Sequence, residues 1–334
     1  MGDFDLLIKE YRKKIDERLG KYLISQTLRS YYLDKKYPDS VFDPLNYIMT
    51  GGGKRIRPLI LILSCCALGG SIDDSLDAAI AIEILHNFTL VHDDIMDNAF
   101  TRRGKETIHK KWSVNVAILV GDELIGLSYR SLLNTKTNRI AELVNAFTDG
   151  VIEVCEGQAL DNQYEKGDDI GLKEYYIMIQ KKTAELLRIS AVIGAIIADG
   201  SSEQIEIING YSRNLGMAFQ IQDDLLDVSA NETDFGKKIG GDILEKKKTY
   251  MYLKSLEIAE NETRDNLKRI YASGNKDKVT EVMEIYTKLD VMSYARKEIK
   301  NYTHVANEIL LKLENEKAVS ALKSFSDMLL NRGY

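Results

Sequence analysis

The sequence carries two clusters of the form Asp-Asp-x-x-Asp: Asp93-Asp94-Ile95-Met96-Asp97 and Asp223-Asp224-Leu225-Leu226-Asp227. On a helix, positions i and i+4 share a face, so Asp93 points with Asp97 and Asp223 with Asp227, while Asp94 lies at the edge of its face. Like charges at that spacing weaken a bare helix. Each cluster also sits at the C-terminal end of an expected helix, where the dipole disfavours anions. A divalent cation would supply the reason. Mg²⁺ takes hard oxygen ligands, keeps several waters, and is commonly held by one or two carboxylates plus substrate phosphates. An open row of aspartates suits that ion better than calcium, because neither segment has the twelve-residue loop with its central Gly and terminal Glu. A solvated acidic face competes with this reading for either cluster alone. The flanks decide between them. HNFTLVH at 86–92 and GMAFQIQ at 216–222 are apolar helical stretches that require burial, which sets the aspartates at the mouth of a core.

Cations accompany the carboxylates. Gly51-Gly52-Gly53-Lys54-Arg55-Ile56-Arg57-Pro58 is a Gly-rich turn feeding a helix, and backbone amides with Lys and Arg make an anion site there. It is not a Walker loop, since the Gly-Lys-Ser/Thr ending is missing. Arg102-Arg103 follow the first cluster, and Lys181-Lys182-Thr183 open an apolar helix. Lys237-Lys238 and Lys246-Lys247-Lys248-Thr249 follow the second. Any one of these reads as solvated surface. Their recurrence after each acidic cluster suits two phosphorylated substrates in a shared cavity.

The elements that must position these groups are helices. The three prolines lie at 38, 44 and 58, so little beyond Pro58 forbids helix. Helical patterning covers 4–19, 58–68, 74–97, 113–134, 139–164, 175–199 and 202–228. A further amphipathic series runs over 249–330 with breaks near Asn261, Gly274 and Asn301. Asp73 or Asp74 is expected to cap the helix of the first cluster. The segments 98–107, 167–171 and 231–242 read as polar, Gly-containing breaks, and no run alternates as a strand would. With 334 residues, no low-complexity linker and no composition shift, residues 1–334 are expected to form one all-α domain.

Composition excludes several classes. Hydrophobic residues at 44% and charged residues at 29% describe a globular chain rather than a disordered one. A net charge of −6 argues against a nucleic-acid partner. Cys65, Cys66 and Cys155 show no metal-ligand spacing and read as small buried residues in a reducing compartment. The first residues lack a secretory pattern, and the longest apolar runs, 59–68 and 189–198, are too short to span a bilayer. A cytoplasmic enzyme without a membrane span is therefore expected.

Taken together, GGGKRIRP, EILHNFTLVHDDIMDNAFTRRGKETIH, LVGDEL, EGQALD, KKTAELL, FQIQDDLLD, DFGKKIGGD and KKKT resemble the short-chain trans-isoprenyl diphosphate synthases (polyprenyl synthetases), most closely the archaeal geranylgeranyl type. The resemblance covers roughly 43–249. It implies a bundle of mostly antiparallel helices around a central cavity, and a homodimer. It implies three Mg²⁺ ions bridging Asp93, Asp97 and Asp223 to an allylic diphosphate, with Asp94 and Asp227 assisting. It places Lys182, Thr183, Gln220, Lys237 and Lys247 around that diphosphate and the second metal cluster, with Arg102 binding it too. Lys54, Arg57, His86 and Arg103 would bind isopentenyl diphosphate. The chain departs from the family at Lys246, where Gly is frequent, and at Tyr250-Met251, where Leu-Pro is frequent. Either Lys247 or Lys248 could then take the phosphate role; Lys247, two residues before Thr249, is chosen.

Product length is expected to be set at Phe88 and Thr89. Phe88 lies five residues before Asp93, about 7.5 Å along a helix axis. A bulky residue at one of these positions forms the cavity floor in this family. Large Phe88 beside small Thr89 implies a C20 product, with C15 or a mixed C15/C20 output as the alternative. A terpene cyclase would carry an Asn/Asp-Ser/Thr-Glu pattern at the second site. A non-catalytic subunit would have lost aspartates, and all six are present here.

Overall fold

The computed structural model describes residues 2–32, 38–165, 167, 170–229, 240–275 and 277–330. The all-α expectation is met: helices account for nearly all the regular structure. In chain order they are α1 (Asp3–Tyr32), α2 (Asp39–Met49), α3 (Ile56–Ala67), α4 (Ile72–Met96), α5 (Ile108–Lys111), α6 (Val114–Leu132), α7 (Ile140–Glu165) and α8 (Leu172–Ile179). A π-helical turn at Gln180–Ala184 leads into α9 (Glu185–Ile197) and α10 (Ser202–Ser229). Then come α11 (Gly241–Glu245), α12 (Tyr250–Ile258), α13 (Asn261–Ala272), α14 (Lys278–Lys288), α15 (Val291–Leu310) and α16 (Glu316–Leu330).

Two compact units share the chain. The first comprises 1–148, 189–208 and 313–324. Its centre is α4, buried almost all round from Ala78 to Leu85 and packed against α3 and α6. A helix apolar on every side belongs in a core. Gly194 of α9 permits close approach to α3, since a Cβ there would lie 2.1 Å from the Leu61 carbonyl oxygen. Arg18 of α1 grips Asp77 of α4 with bonds of 2.6–2.9 Å.

The second unit comprises 149–188, 209–312 and 325–334. Its core joins α8, the C-terminal part of α10 and α11 to α15. It is rich in tyrosine: Tyr175, Tyr250, Tyr252, Tyr271 and Tyr286 are all buried. Tyr252 and Tyr271 stack at 3.9 Å between centroids.

Several boundaries differ from expectation. Ser71, not Asp73 or Asp74, caps α4: its hydroxyl oxygen accepts the Asp74 amide at 3.2 Å. Both aspartates instead occupy the first turn, where the dipole favours them. The stretch over 98–107 is not a plain loop. Thr101–Arg102 pair antiparallel with Lys105–Glu106, joined by Arg103 (φ 53°) and Gly104 (φ 74°). Two central residues with positive φ make a tight turn whose twist matches a hairpin. The helix expected over 175–199 is interrupted by the π turn. No break falls at Asn301, inside the continuous α15; the chain turns instead at Asp290 (φ 51°). Cys65 is buried, but Cys155 is exposed rather than part of the core. Among the described residues no helix is long and apolar enough to cross a membrane.

Candidate active site

In the first unit the carboxylate cluster ends α4. Asp93 and Asp94 lie in its last turn, and Asp97 is its C-cap, donating its amide to the Asp93 carbonyl at 2.9 Å. Asp93 and Asp97 are half buried, whereas Asp94 is buried. The following hairpin carries Arg102 back onto the cluster. Its Nε donates to Asp94 Oδ1 at 2.7 Å, and Nη2 lies 3.5 Å from Asp93 Oδ2. Burial pushes the Asp94 carboxyl up to about 6, against the opposing pull of Arg102, with Asp93 and Asp97 adding to the rise.

The same hairpin joins the cluster to the Gly-rich turn. Arg103, at the tip, donates to the Gly52 carbonyl, and its guanidinium lies beside Gly53, where a Cβ would meet Arg103 Nη1 at 3.3 Å. Gly52 itself has φ 75°. Arg55 turns inward: it has φ 53°, is buried, and pairs with Glu83 at 2.6 Å and Asp16 at 2.9 Å. Lys54 is exposed. Arg57 reaches His86, with Nη1 3.3 Å from Nε2. A guanidinium can only donate, so that imidazole nitrogen accepts and the ring is neutral. Burial first, then Arg57, Arg103, Arg102 and Arg55, hold the His86 pKa well below its ordinary value. Lys54, Arg57, His86, Arg102 and Arg103 therefore all lie in one unit.

Two residues beyond His86 on α4, Phe88 is buried and meets the His92 ring edge-on at 4.8 Å. Thr89 donates its hydroxyl to the His86 carbonyl. His92 packs against Gly121 of α6, where a Cβ would collide at 2.1 Å.

In the second unit the carboxylates of α10 stand beside the π turn. Asp224 is buried and fully engaged. It accepts from the Tyr175 hydroxyl at 2.7 Å, the Tyr250 amide at 2.8 Å and Gln220 Nε2 at 2.8 Å. Burial, with Asp242 adding, raises its pKa to about 7. Gln220 in turn accepts from the Thr183 hydroxyl at 2.7 Å. Lys182 pairs with Asp161 of α7. Lys181 is drawn to Glu153 and Glu156 at 2.6 and 2.7 Å. The π turn fits because its neighbours are glycines: a Cβ on Gly157 would lie 2.2 Å from the Lys182 amide nitrogen, and one on Gly216 would lie 2.7 Å from Ala184.

Asp223 and Asp227 are half buried. The Asp227 carbonyl accepts from Gly240 at 2.8 Å, and its carboxylate accepts the Asp242 amide at 3.2 Å. Lys247 pairs with Glu245 at 3.1 Å, while Lys248 lies over the Tyr252 ring. Lys246 adopts φ 62°, which explains why Gly is frequent there in the family it resembles. Lys237 lies outside the described residues.

The family model described as polyprenyl synthetase matches residues 38–289. The chain belongs to the polyprenyl synthetase family. A short chain isoprenyl diphosphate synthase of Methanothermobacter thermautotrophicus is 36% identical over 98% of each chain. A geranylgeranyl diphosphate synthase of Saccharolobus solfataricus is 37% identical over 86% of this chain and 88% of its own. The crystal structure of geranylgeranyl pyrophosphate synthetase from Pyrococcus horikoshii superposes with a TM-score of 0.89 at 33% identity, covering 99% of this chain and 98% of that one. The fold is thus the all-α fold of this polyprenyl synthetase family.

Seen as a polyprenyl synthetase, the chain places every described candidate residue in one of two groups. Lys54, Arg57, His86, Phe88, Thr89, Asp93, Asp94, Asp97, Arg102 and Arg103 belong to the first unit. Lys182, Thr183, Gln220, Asp223, Asp227 and Lys247 belong to the second. Sequence reasoning missed Asp161 and Tyr175 as partners of Lys182 and Asp224. Asp161 closes the quoted EGQALD segment and was legible as a motif without a role. Tyr175 carried no signal. The carboxylates offer the donor type that magnesium takes. They are all hard oxygens, and among the described residues no group of three or more His, Cys, Asp or Glu side chains is gathered to hold a metal ion.

Proposed function

We propose that this prenyltransferase condenses isopentenyl diphosphate head-to-tail with allylic diphosphates, releases pyrophosphate and stops at geranylgeranyl diphosphate (C20). The observation that carries the reading is that both aspartate clusters are complete and each has its own polar partners: Arg102 on Asp94 and Asp93, and the Thr183–Gln220–Asp224 chain beside Asp223. The C20 product is further supported by similarity to the geranylgeranyl diphosphate synthases of Saccharolobus solfataricus and Sulfolobus acidocaldarius.

Asp93, Asp97 and Asp223, with Asp94 and Asp227 assisting, would hold Mg²⁺, three ions per site. When bound, that metal neutralises charge on the diphosphate. Arg102, Lys182, Thr183, Gln220, Lys247 and Lys237 hold the allylic diphosphate. As its C–O bond breaks, their cations and donors stabilise the charge growing on the leaving group. Lys54, Arg57, Arg103 and neutral His86 hold isopentenyl diphosphate. Its double bond attacks the cationic allylic carbon, a C–C bond forms, and a proton passes to the released pyrophosphate. No side-chain base is needed. Phe88 closes the path of the growing chain. The chain acts as one domain, in the cytoplasm and as a homodimer, and needs no nucleic acid.

Purified protein with Mg²⁺, isopentenyl diphosphate and dimethylallyl, geranyl or farnesyl diphosphate should release pyrophosphate. Silence with all three primers overturns the proposal.

A further inference from the structure

Residues 240–249, beyond the second aspartate cluster in the chain, are held by the α13–α14 pair, and this grip uses groups that the chemistry above leaves idle. The Tyr271 hydroxyl donates to the Lys247 carbonyl at 2.6 Å and lies 3.4 Å from the Asp242 carbonyl. Buried Lys278, at 2% exposure, donates to the Tyr271 carbonyl at 3.2 Å and the Leu244 carbonyl at 3.4 Å. Lys246 reaches the Ala272 carbonyl at 2.7 Å. A Cβ on Gly240 would lie 2.5 Å from Val279, so the α14 side chain packs directly on the start of the segment. The other side of the segment rests on the aspartate cluster through Asp227.

These contacts form a chain of custody over one stretch of backbone. An ammonium buried to 2% exposure is retained where it satisfies acceptors that would otherwise be stranded. Here they are the carbonyls at the C-terminal ends of α11 and α13, where a cation also suits the helix dipole. Tyr271 is fixed twice, by Lys278 on its carbonyl and by Tyr252 on its ring. Its hydroxyl is thereby aimed at the backbone of Lys247, the residue proposed above to hold the diphosphate.

We infer that Tyr271, backed by Lys278, is a positioning residue that fixes the Lys247 backbone and so sets the affinity of the site for the allylic diphosphate. The inference rests on the proposed prenyltransferase reading. A phosphate-binding lysine displaced by an ångström loses much of its effect, so the group that pins its backbone controls binding without touching substrate.

Tyr286 supplies the control. It is fully buried in the same core, and its hydroxyl has no hydrogen-bond partner among the described residues. Tyr271→Phe and Tyr286→Phe each remove one hydroxyl and keep the ring. Tyr271→Phe should raise the KM for the allylic diphosphate about tenfold, leave the KM for isopentenyl diphosphate within about twofold, and speed amide exchange at Lys247 to Thr249. Tyr286→Phe should change none of these. Equal kinetic constants in the two variants, a parallel rise in both KM values, or unaltered exchange at Lys247 to Thr249 overturns the inference. A wild-type protein that releases no pyrophosphate overturns the enzyme reading instead, and the exchange measurement still reads the hydroxyl's grip.

Discussion

Asp94 and Asp224, the middle carboxylates of the two clusters, are the buried ones, at 3% and 4% exposure. Both have raised pKa values, and both are tied to protein donors. Their outer neighbours are half buried. The division of labour that follows is testable. Asp224→Asn leaves one oxygen to serve three donors, so it should lower the melting temperature by several degrees and cut kcat/KM by about 10–100-fold. Asp223→Asn should leave the melting temperature nearly unchanged and cut kcat on the order of a thousandfold. Thermal melts with steady-state assays separate the two.

His86 gives a pH prediction. Its folded pKa lies well below 6.5, because burial and four arginines disfavour imidazolium. Above pH 6.5 the group contributes nothing. As pH falls below 6.5 the unfolded chain takes up a proton that the folded chain refuses, so stability falls, by up to about 1.4 kcal/mol per pH unit. Denaturant titrations of His86→Gln should show that slope reduced. Phe88→Ala should lengthen the products on radio-chromatography, while costing about 3–5 kcal/mol for the lost core aromatic. Unchanged products remove Phe88 as the floor. At this scale the sequence revealed the acidic and basic residue types, because spacing alone puts Asp93 with Asp97. It did not reveal that Asp94 and Asp224 face inward, since that depends on partners such as Arg102 and Tyr175.

The π turn at Gln180–Ala184 positions Lys182 and Thr183 by inserting an extra residue into what hydrophobic periodicity presents as one helix. The extra residue falls in the polar stretch Gln180-Lys181-Lys182-Thr183, where no apolar periodicity registers a shift, so the pattern over 175–199 hides it; π turns of this kind often mark functional sites. The glycines that admit it were visible, but their purpose was not, because close approach is a tertiary fact. Gly157→Ala would press a methyl into the Lys182 backbone. It should cost about 1–3 kcal/mol and reduce kcat/KM, as read by melting curves and steady-state kinetics. The hairpin at Thr101–Arg102 and Lys105–Glu106 escaped notice for a different reason. Two residues per strand cannot show alternation, and only Arg103-Gly104 marked the turn.

Across the whole molecule the all-α class was legible, because proline is confined to the first 58 residues and apolar positions recur at helical spacing throughout. The division into two compact units was not, since each is assembled from three separate stretches. Four of the five passages between units fall inside helices α7, α9, α10 and α16. A helix interior is a poor place for independent unfolding. Calorimetry should therefore show one transition; two well-separated transitions would argue against the single domain proposed above.

The proposed reaction is a head-to-tail elongation that ends at twenty carbons. Its most direct test is the product length formed from labelled isopentenyl diphosphate and farnesyl diphosphate with Mg²⁺. A single addition to C20 is expected, abolished by chelation and restored by Mg²⁺. No extension of farnesyl diphosphate, or continued growth well beyond C20, would contradict it.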